Sequence, residues 1–329
     1  MSWLVGVEIG GTKLQIALGR GLGEPFHAFW RGAVDAPRGA EPIRRQIVGG
    51  VNELLAGAQV DRRDVAGVGI GFGGPVDTRA GRTVLSNQVA GWEDFPLIEW
   101  FTTAFGWPAV LQNDADTAAL AEASFGAGRG FDPVLYVTVG SGIGGGLISG
   151  GKIYRGNGAG AMEVGHLRLP PGARGAAPGG DTVESIAAGF GIEDRARRML
   201  AECDSAQRDK IQSLLTLAGG DWRRVTTKLI AQAAAAGDGF SQSLLAEATD
   251  TLGWGLAQAI TLVNPARIVI GGGVSLIGEA LFFEPVRRAC RRQTFLPFVD
   301  LAEIVPAALG EDVVVHGALA LAQGALGAS

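Results

Sequence analysis

Apolar and polar positions alternate over residues 3–17, and the alternation breaks once, at Gly10-Gly11-Thr12-Lys13. This predicts a strand, a tight turn and a returning strand. Over residues 42–56 the apolar positions Ile43, Ile47, Val51, Leu54 and Leu55 recur at helical spacing, and residues 65–70 form a short apolar run suited to a buried strand. A helix is expected at 97–105, a strand at 109–111, and a helix at 115–125 that opens just after Asn113 and Asp114. A first α/β lobe, 1–125, closes there.

The opening pattern then returns: an apolar strand at 134–139, a glycine turn at 140–146 and a further strand at 147–153. Recurrence of strand, Gly-rich hairpin turn and strand predicts two related α/β halves. The second, larger lobe, 126–316, continues with helical stretches at 195–200, 226–236 and 244–262. A strand at 268–270 then runs into Gly271-Gly272-Gly273, and a final helix at 317–326 is expected to join the first lobe.

At 329 residues the chain fits two domains of ordinary size, and 47% hydrophobic against 19% charged residues leaves ample core and no disorder signature. Net charge −5 argues against a nucleic-acid partner, since phosphate backbones demand clustered cations. Arg287, Arg288, Arg291 and Arg292 do cluster, at spacings that suit one solvated helix face. Cys203 and Cys290 stand far apart with no CxxC, which suits a reducing, cytoplasmic setting. No apolar stretch approaches the roughly 20 residues that span a bilayer, so no membrane partner is expected. The 53 glycines gather at the ends of apolar runs, where turns or close backbone approach need them.

Two glycine loops, 69–74 and 140–145, satisfy G-x-G-x-x-G, but Pro75-Val76-Asp77 follows the first and an expected strand follows the second. The dinucleotide fingerprint requires a helix at that point, so it is rejected, and no P-loop motif is present. The Gly-Gly-Thr-Lys turn presents backbone N–H groups, a hydroxyl and an ammonium, as a phosphate cradle does, and Glu8 just before it could hold magnesium. An ordinary hairpin turn explains it equally. Gly271-Gly272-Gly273 offers bare backbone to a flat group such as adenosine, or simply close helix-to-strand packing. Asp114 is placed either to accept a proton or, like Asn113, to cap its helix.

In this order and spacing, Glu8 to Lys13, residues 69–77, Asn113-Asp114-Ala115-Asp116, residues 140–146, Glu163-Val164-Gly165-His166, Glu184, and Asn264-Pro265 leading to Ile270-Gly271-Gly272-Gly273 resemble the ROK family (repressors, unassigned reading frames and kinases). The resemblance covers nearly the whole chain. It implies a two-lobed actin-like ATPase (ribonuclease H-like) fold with a duplicated α/β core and an interlobe cleft, and an ATP-dependent, glucokinase-like hexose kinase using magnesium. Asp114 would be the general base, and Gly74, Asn87, Asn113, Asp114, Glu163, His166 and Glu184 would line the sugar pocket. Gly10, Gly11, Thr12, Lys13, Gly140, Ser141, Gly142, Gly271, Gly272 and Gly273 would bind ATP, with Glu8 reaching magnesium directly or through water. A homodimer is the candidate assembly. The family also implies an alternative, a sugar-binding or regulatory protein without catalysis.

Three departures qualify the likeness. Many relatives carry a Cys-rich zinc loop after the Glu-x-Gly-His segment, whereas residues 172–184 contain no cysteine, and His166 alone cannot build a tetrahedral site. No zinc is therefore expected. Glu8 stands where Asp is usual, which moves the carboxylate by one methylene, and Ser141 stands where Thr is common but keeps the hydroxyl.

Overall fold

The computed structural model describes residues 2–21, 23–86, 88–157, 160–170, 181–202 and 208–327. By internal contacts the chain forms two compact units: unit 1 is 1–136, 146–161 and 308–329, and unit 2 is 137–145 and 162–307. Residues 126–136, 146–161 and 308–316 thus count with unit 1, where the sequence placed them in the larger lobe.

Unit 1 opens with the expected hairpin, β1 (Trp3–Ile9) and β2 (Lys13–Gly19), and extends it with β3 (Ala28–Ala33), which the pattern did not predict. Helix α1 (Ala40–Ala58) leads to β4 (Val65–Phe72), a short ribbon of β5 (Val76–Asp77) and β6 (Arg82–Thr83), then α2 (Leu97–Phe105), β7 (Ala109–Asn113) and α3 (Asp114–Phe125). The first sheet runs β3-β2-β1-β4-β7. Its hairpin strands are antiparallel, and β4 and β7 join in parallel beyond β1. Ile16, Ile47, Ile70, Trp92, Phe101 and Leu111 are buried in the core that seals the α1 and α2 side.

The second sheet comprises β8 (Val134–Val139), β9 (Ile143–Ser149), β10 (Lys152–Ile153), β11 (Arg267–Gly271) and β12 (Glu303–Pro306), in the order β10-β9-β8-β11-β12. An antiparallel hairpin of three strands followed by two crossover strands is the order of the first sheet, so the repeat seen in the pattern is a repeat of topology. One expectation needs correction. The glycine turn is confined to 140–142: Gly144, Gly145 and Gly146 lie within β9, and the second turn falls at Gly150-Gly151, both at positive φ. Gly146 is needed in the strand because a Cβ there would lie 2.8 Å from the Ala119 Cβ of α3.

Unit 2 adds α4 (Val183–Ala187), α5 (Gly189–Ala201), α6 (Arg208–Leu217), α7 (Thr227–Ala235), α8 (Gly239–Val263) and α9 (Glu284–Gln293). Asp238 caps α8 by accepting from Ser241 N at 2.7 Å. Asn264 ends it with a left-handed φ of 42°, a conformation Asn tolerates better than most residues. The arginine cluster lies on α9 as a charged face: Arg291 pairs with Asp300, and Arg292 Nη2 meets Asp250 Oδ1 at 2.9 Å. Among the described residues no helix is long and apolar enough to cross a membrane.

The chain closes with α10 (Val313–Gly327), which starts four residues before the expected helix and packs on β1, β4 and α3 within unit 1. The contact is backbone-close. A Cβ at Gly69 would lie 1.8 Å from the Ala318 carbonyl oxygen, one at Gly6 2.8 Å from the Val315 oxygen, and one at Gly317 2.0 Å from the Thr117 oxygen. Glycine is therefore required at these strand and helix positions for approach, not for turns.

Gly69→Ala should destabilise the folded state by about 2 kcal/mol or more, because the blocking atom is backbone and cannot rotate aside. Gly49→Ala is the control: it lies in α1 with nothing within 4 Å of the new Cβ. Relief of glycine entropy there should stabilise by about 0.5–1 kcal/mol. Paired denaturant titrations measure both.

Candidate functional site

In unit 1 the hairpin turn brings Glu8, at the end of β1, against Lys13, at the start of β2. Lys13 Nζ lies 3.2 Å from Glu8 Oε1, donates to Gln15 Oε1 at 3.2 Å and to the Glu311 carbonyl at 2.8 Å. Its three protons thus have three acceptors. Gln15 is fully buried and passes the interaction on, donating to Asp312 Oδ1 at 2.9 Å, and Arg31 pairs with the same oxygen at 2.8 Å. The segment leading into α10 is in this way tied to the Gly-Gly-Thr-Lys turn.

Glu8 is only 6% exposed, and its Oε2 has no hydrogen-bond partner among the described residues. Burial raises its pKa from 4.5 to about 7, against the opposing effect of Lys13, while Asp114 and Asp312 add repulsion that raises it further. Desolvation outweighs the ion pair because one pair cannot restore the hydration lost by two oxygens.

Asp114 stands at the first position of α3, beside the residue that caps the helix. Asn113 is the N-cap: its Oδ1 accepts from Ala115 N at 2.8 Å and Asp116 N at 3.3 Å, and its Nδ2 donates to the Gly74 carbonyl at 3.0 Å. Asp114 Oδ1 also accepts from Ala115 N at 2.8 Å. The other carboxylate oxygen faces Gly73, where a Cβ would sit 3.5 Å from Oδ2. Gly73 N in turn donates to the Ile9 carbonyl at 2.8 Å, so Asp114, the Gly73-Gly74 segment and the Ile9-Gly10 turn form one cluster at the carboxyl ends of β1, β4 and β7. Such strand ends are where ligands settle in α/β sheets.

Unit 2 gathers a second group. The Gly140–Gly142 turn closes with Gly140 N donating to Gly142 O at 2.9 Å, and Gly189 N at the start of α5 donates to Gly140 O at 2.8 Å. Gly272, at φ 88°, lies against the end of β8, where a Cβ would meet the Val139 oxygen at 2.5 Å, and Val274 N donates to that oxygen at 2.9 Å. The Ser141 and Gly271–Gly273 segments, separated by more than a hundred residues of chain, are thereby neighbours. Glu184 Oε2 accepts from Ile143 N at 2.6 Å and would lie 2.6 Å from a Cβ at Gly142. Glu163 is within electrostatic reach of both His166 and Glu184. Glu163 keeps solvent contact, yet desolvation raises its pKa, with His166 opposing and Glu184 reinforcing the shift.

The expected residues therefore fall into two sets. Glu8, Gly10, Gly11, Thr12, Lys13, Gly74, Asn113 and Asp114 belong to unit 1, and Gly140, Ser141, Gly142, Glu163, His166, Glu184 and Gly271 to Gly273 belong to unit 2. Asn87 lies outside the described residues, as do 171–180 of the loop in which zinc ligands are lacking. Sequence reasoning missed Gln15, Glu311, Asp312 and Gln88. The Gln88 side chain lies over Gly11, where a Cβ would fall 1.4 Å from its Oε1. A buried polar residue within an apolar strand was the available signal for Gln15; nothing local marked Asp312, which acts through a contact nearly three hundred residues away.

Comparison with known proteins shows the family and the fold. The chain is 32% identical over 319 residues to a glucokinase of Halalkalibacterium halodurans, covering 96% of this chain and 93% of that one. A ROK hexokinase structure from Thermus thermophilus superposes with a TM-score of 0.81 at 29% identity, covering 99% of this chain and 100% of the other. A ROK glucokinase from Streptomyces griseus, solved with glucose and AMPPNP, gives 0.80 at 32% identity, covering 98% and 99%. The fold is the actin-like ATPase fold of these sugar kinases. With the ROK family model matching residues 4–325 as well, the chain belongs to the ROK family.

Proposed function

We propose that this protein transfers the terminal phosphoryl group of ATP to a hydroxyl of a hexose, with glucose the first substrate to test before mannose, fructose and N-acetylated hexosamines. The observation that carries the reading is at the start of α3: Asn113 supplies the cap, so the adjacent Asp114 carboxylate, beside Gly73, serves as base. As the sugar oxygen bonds to phosphorus and the bond to the departing ADP breaks, the hydroxyl proton passes to Asp114.

Glu163, His166 and Glu184, together with Gly74, Asn87 and Asn113, hold the sugar hydroxyls, and a wrong epimer leaves such groups unpaired. The bare backbone of Gly140 to Gly142 and Gly271 to Gly273 admits ATP, whose phosphates also meet Gly10, Gly11 and Thr12. Lys13 steadies Glu8 and the segment before α10 as well as adding positive charge. The unit 1 residues suit magnesium: Glu8 carries a buried oxygen without a partner, and Asp114 adds a second carboxylate within electrostatic reach. Magnesium, when bound, neutralises charge on the phosphate oxygens. Zinc has no part in the scheme.

ADP release from ATP and magnesium across a hexose panel tests the proposal; absence of turnover on every sugar would favour a binding or regulatory protein. Asp114→Asn should lower kcat by about 10²–10⁴-fold while sugar affinity, measured by calorimetry, changes far less. A pure capping role predicts near-full activity, since Asn caps as well as Asp, so a variant keeping more than about a tenth of kcat contradicts the assignment.

Metal analysis of chelator-treated, folded protein should find no stoichiometric zinc, and one tightly held zinc per chain would refute that part of the scheme.

Glu8 gives a pH signature in chelator-treated protein. Its folded pKa, about 7, exceeds the unfolded 4.5, so the native state binds the proton more tightly. The contribution is fully present below pH 4.5 and is lost as pH rises through 7, about 3 kcal/mol in all. Unfolding titrations should show Glu8→Gln gaining on the wild type across that window; parallel curves would mean that Glu8 is not desolvated.

A further inference from the structure

A cavity of about 680 Å³ opens in unit 1, and none of the candidate-site residues lines it. Leu120 and Phe125 of α3, Ile153 of β10 and Leu321 of α10 give it an apolar lining, and Lys152 and Arg155 are the charged residues that line it. No Asp or Glu is among the lining residues. Neither cation has a carboxylate partner among the described residues; Arg155 Nη1 donates to the neutral Thr78 Oγ1 at 3.0 Å. Lys13 and Arg31 in the same unit show the contrast, both being held by acidic side chains.

This combination has a definite chemical complement. A cavity of several hundred Å³ matches a small organic molecule, an apolar lining matches a ring or hydrocarbon chain, and two cations without counter-charges match an anionic head. A neutral apolar molecule would leave both cations unanswered, and a free inorganic anion would leave the lining wet. A sugar is disfavoured, because its hydroxyls would meet hydrocarbon without partners.

We propose that this cavity binds a small amphipathic anion, an aromatic or acyl body carrying a carboxylate, sulfonate or phosphate, independently of the sugar and ATP. The apolar body lies between α3 and α10, and Lys152 and Arg155 hold the head group.

Anilinonaphthalenesulfonate is a suitable probe, with uncharged N-phenylnaphthylamine as the control. The wild-type chain should show a saturable fluorescence rise with one sulfonate probe per chain. The double variant Lys152→Glu/Arg155→Glu should weaken it about fivefold or more, the loss of one charge-assisted contact, and leave the uncharged probe unchanged. Ser124→Phe, which fills the cavity from α3, should remove both. The charge variant decides the matter if the filled variant fails to fold. Non-saturable binding, a smaller change in the charge variant, or an equal loss of the uncharged probe would each overturn the proposal.

Discussion

The closeness of α10 to the first sheet is the constraint from which the rest of unit 1 follows. Gly6 and Gly69 on adjacent strands and Gly317 on α10 itself remove the side chains that would hold the layers apart, so backbone meets backbone across β1, β4, α3 and α10. Dispersion falls steeply with separation, and a seat this tight admits little rotation or sliding. Asp114 at the head of α3 and the 311–312 segment at the head of α10 are consequently set at defined heights over the carboxyl ends of the strands.

Two buried acids show how the same unit treats charge differently for structure and for chemistry. Glu122, fully buried on α3, is satisfied by backbone: its oxygens accept from Ala127 N at 2.7 Å, Ala308 N at 2.9 Å and Leu309 N at 2.8 Å. It fixes the approach to α10 and has nothing left to offer a ligand. Glu8 has one oxygen paired and the other without a partner, and its burial is costly once it is ionised. That cost fits the magnesium role proposed for Glu8, since a cation would offset it.

Unit 2 achieves its arrangement by different means. Glu184, at the start of α4, shapes the Gly140–Gly142 turn through Ile143 N and also stands within electrostatic reach of Glu163, so a residue assigned to the sugar also supports a turn assigned to ATP. A change at Glu184 would therefore disturb both the Gly140–Gly142 turn and the charge around Glu163.

The order of elements was legible in the sequence because it rests on local periodicity. The hairpin at Gly10-Gly11-Thr12-Lys13, α1, α2 and α8 follow from spacing alone, and the repeat of strand, turn and strand announced two sheets of one topology. The motif residues announced the family by the same logic of order and spacing. What sequence could not supply was the reason for each glycine: Gly144 to Gly146 read as a turn but lie in β9, where Gly146 leaves room for α3 to pass close to the strand. β3 was missed since its adjacent Phe29 and Trp30 break the apolar–polar alternation that marks a half-buried strand. Gln15 and Asp312 likewise act through partners distant in the chain, and the raised pKa of Glu8 comes first from its burial, which depends on how the chain packs around it. Periodicity and turn chemistry are properties of neighbouring residues, and the sequence by itself determined them; burial, close approach and charge pairing depend on which segments meet, and only the tertiary structure decided those.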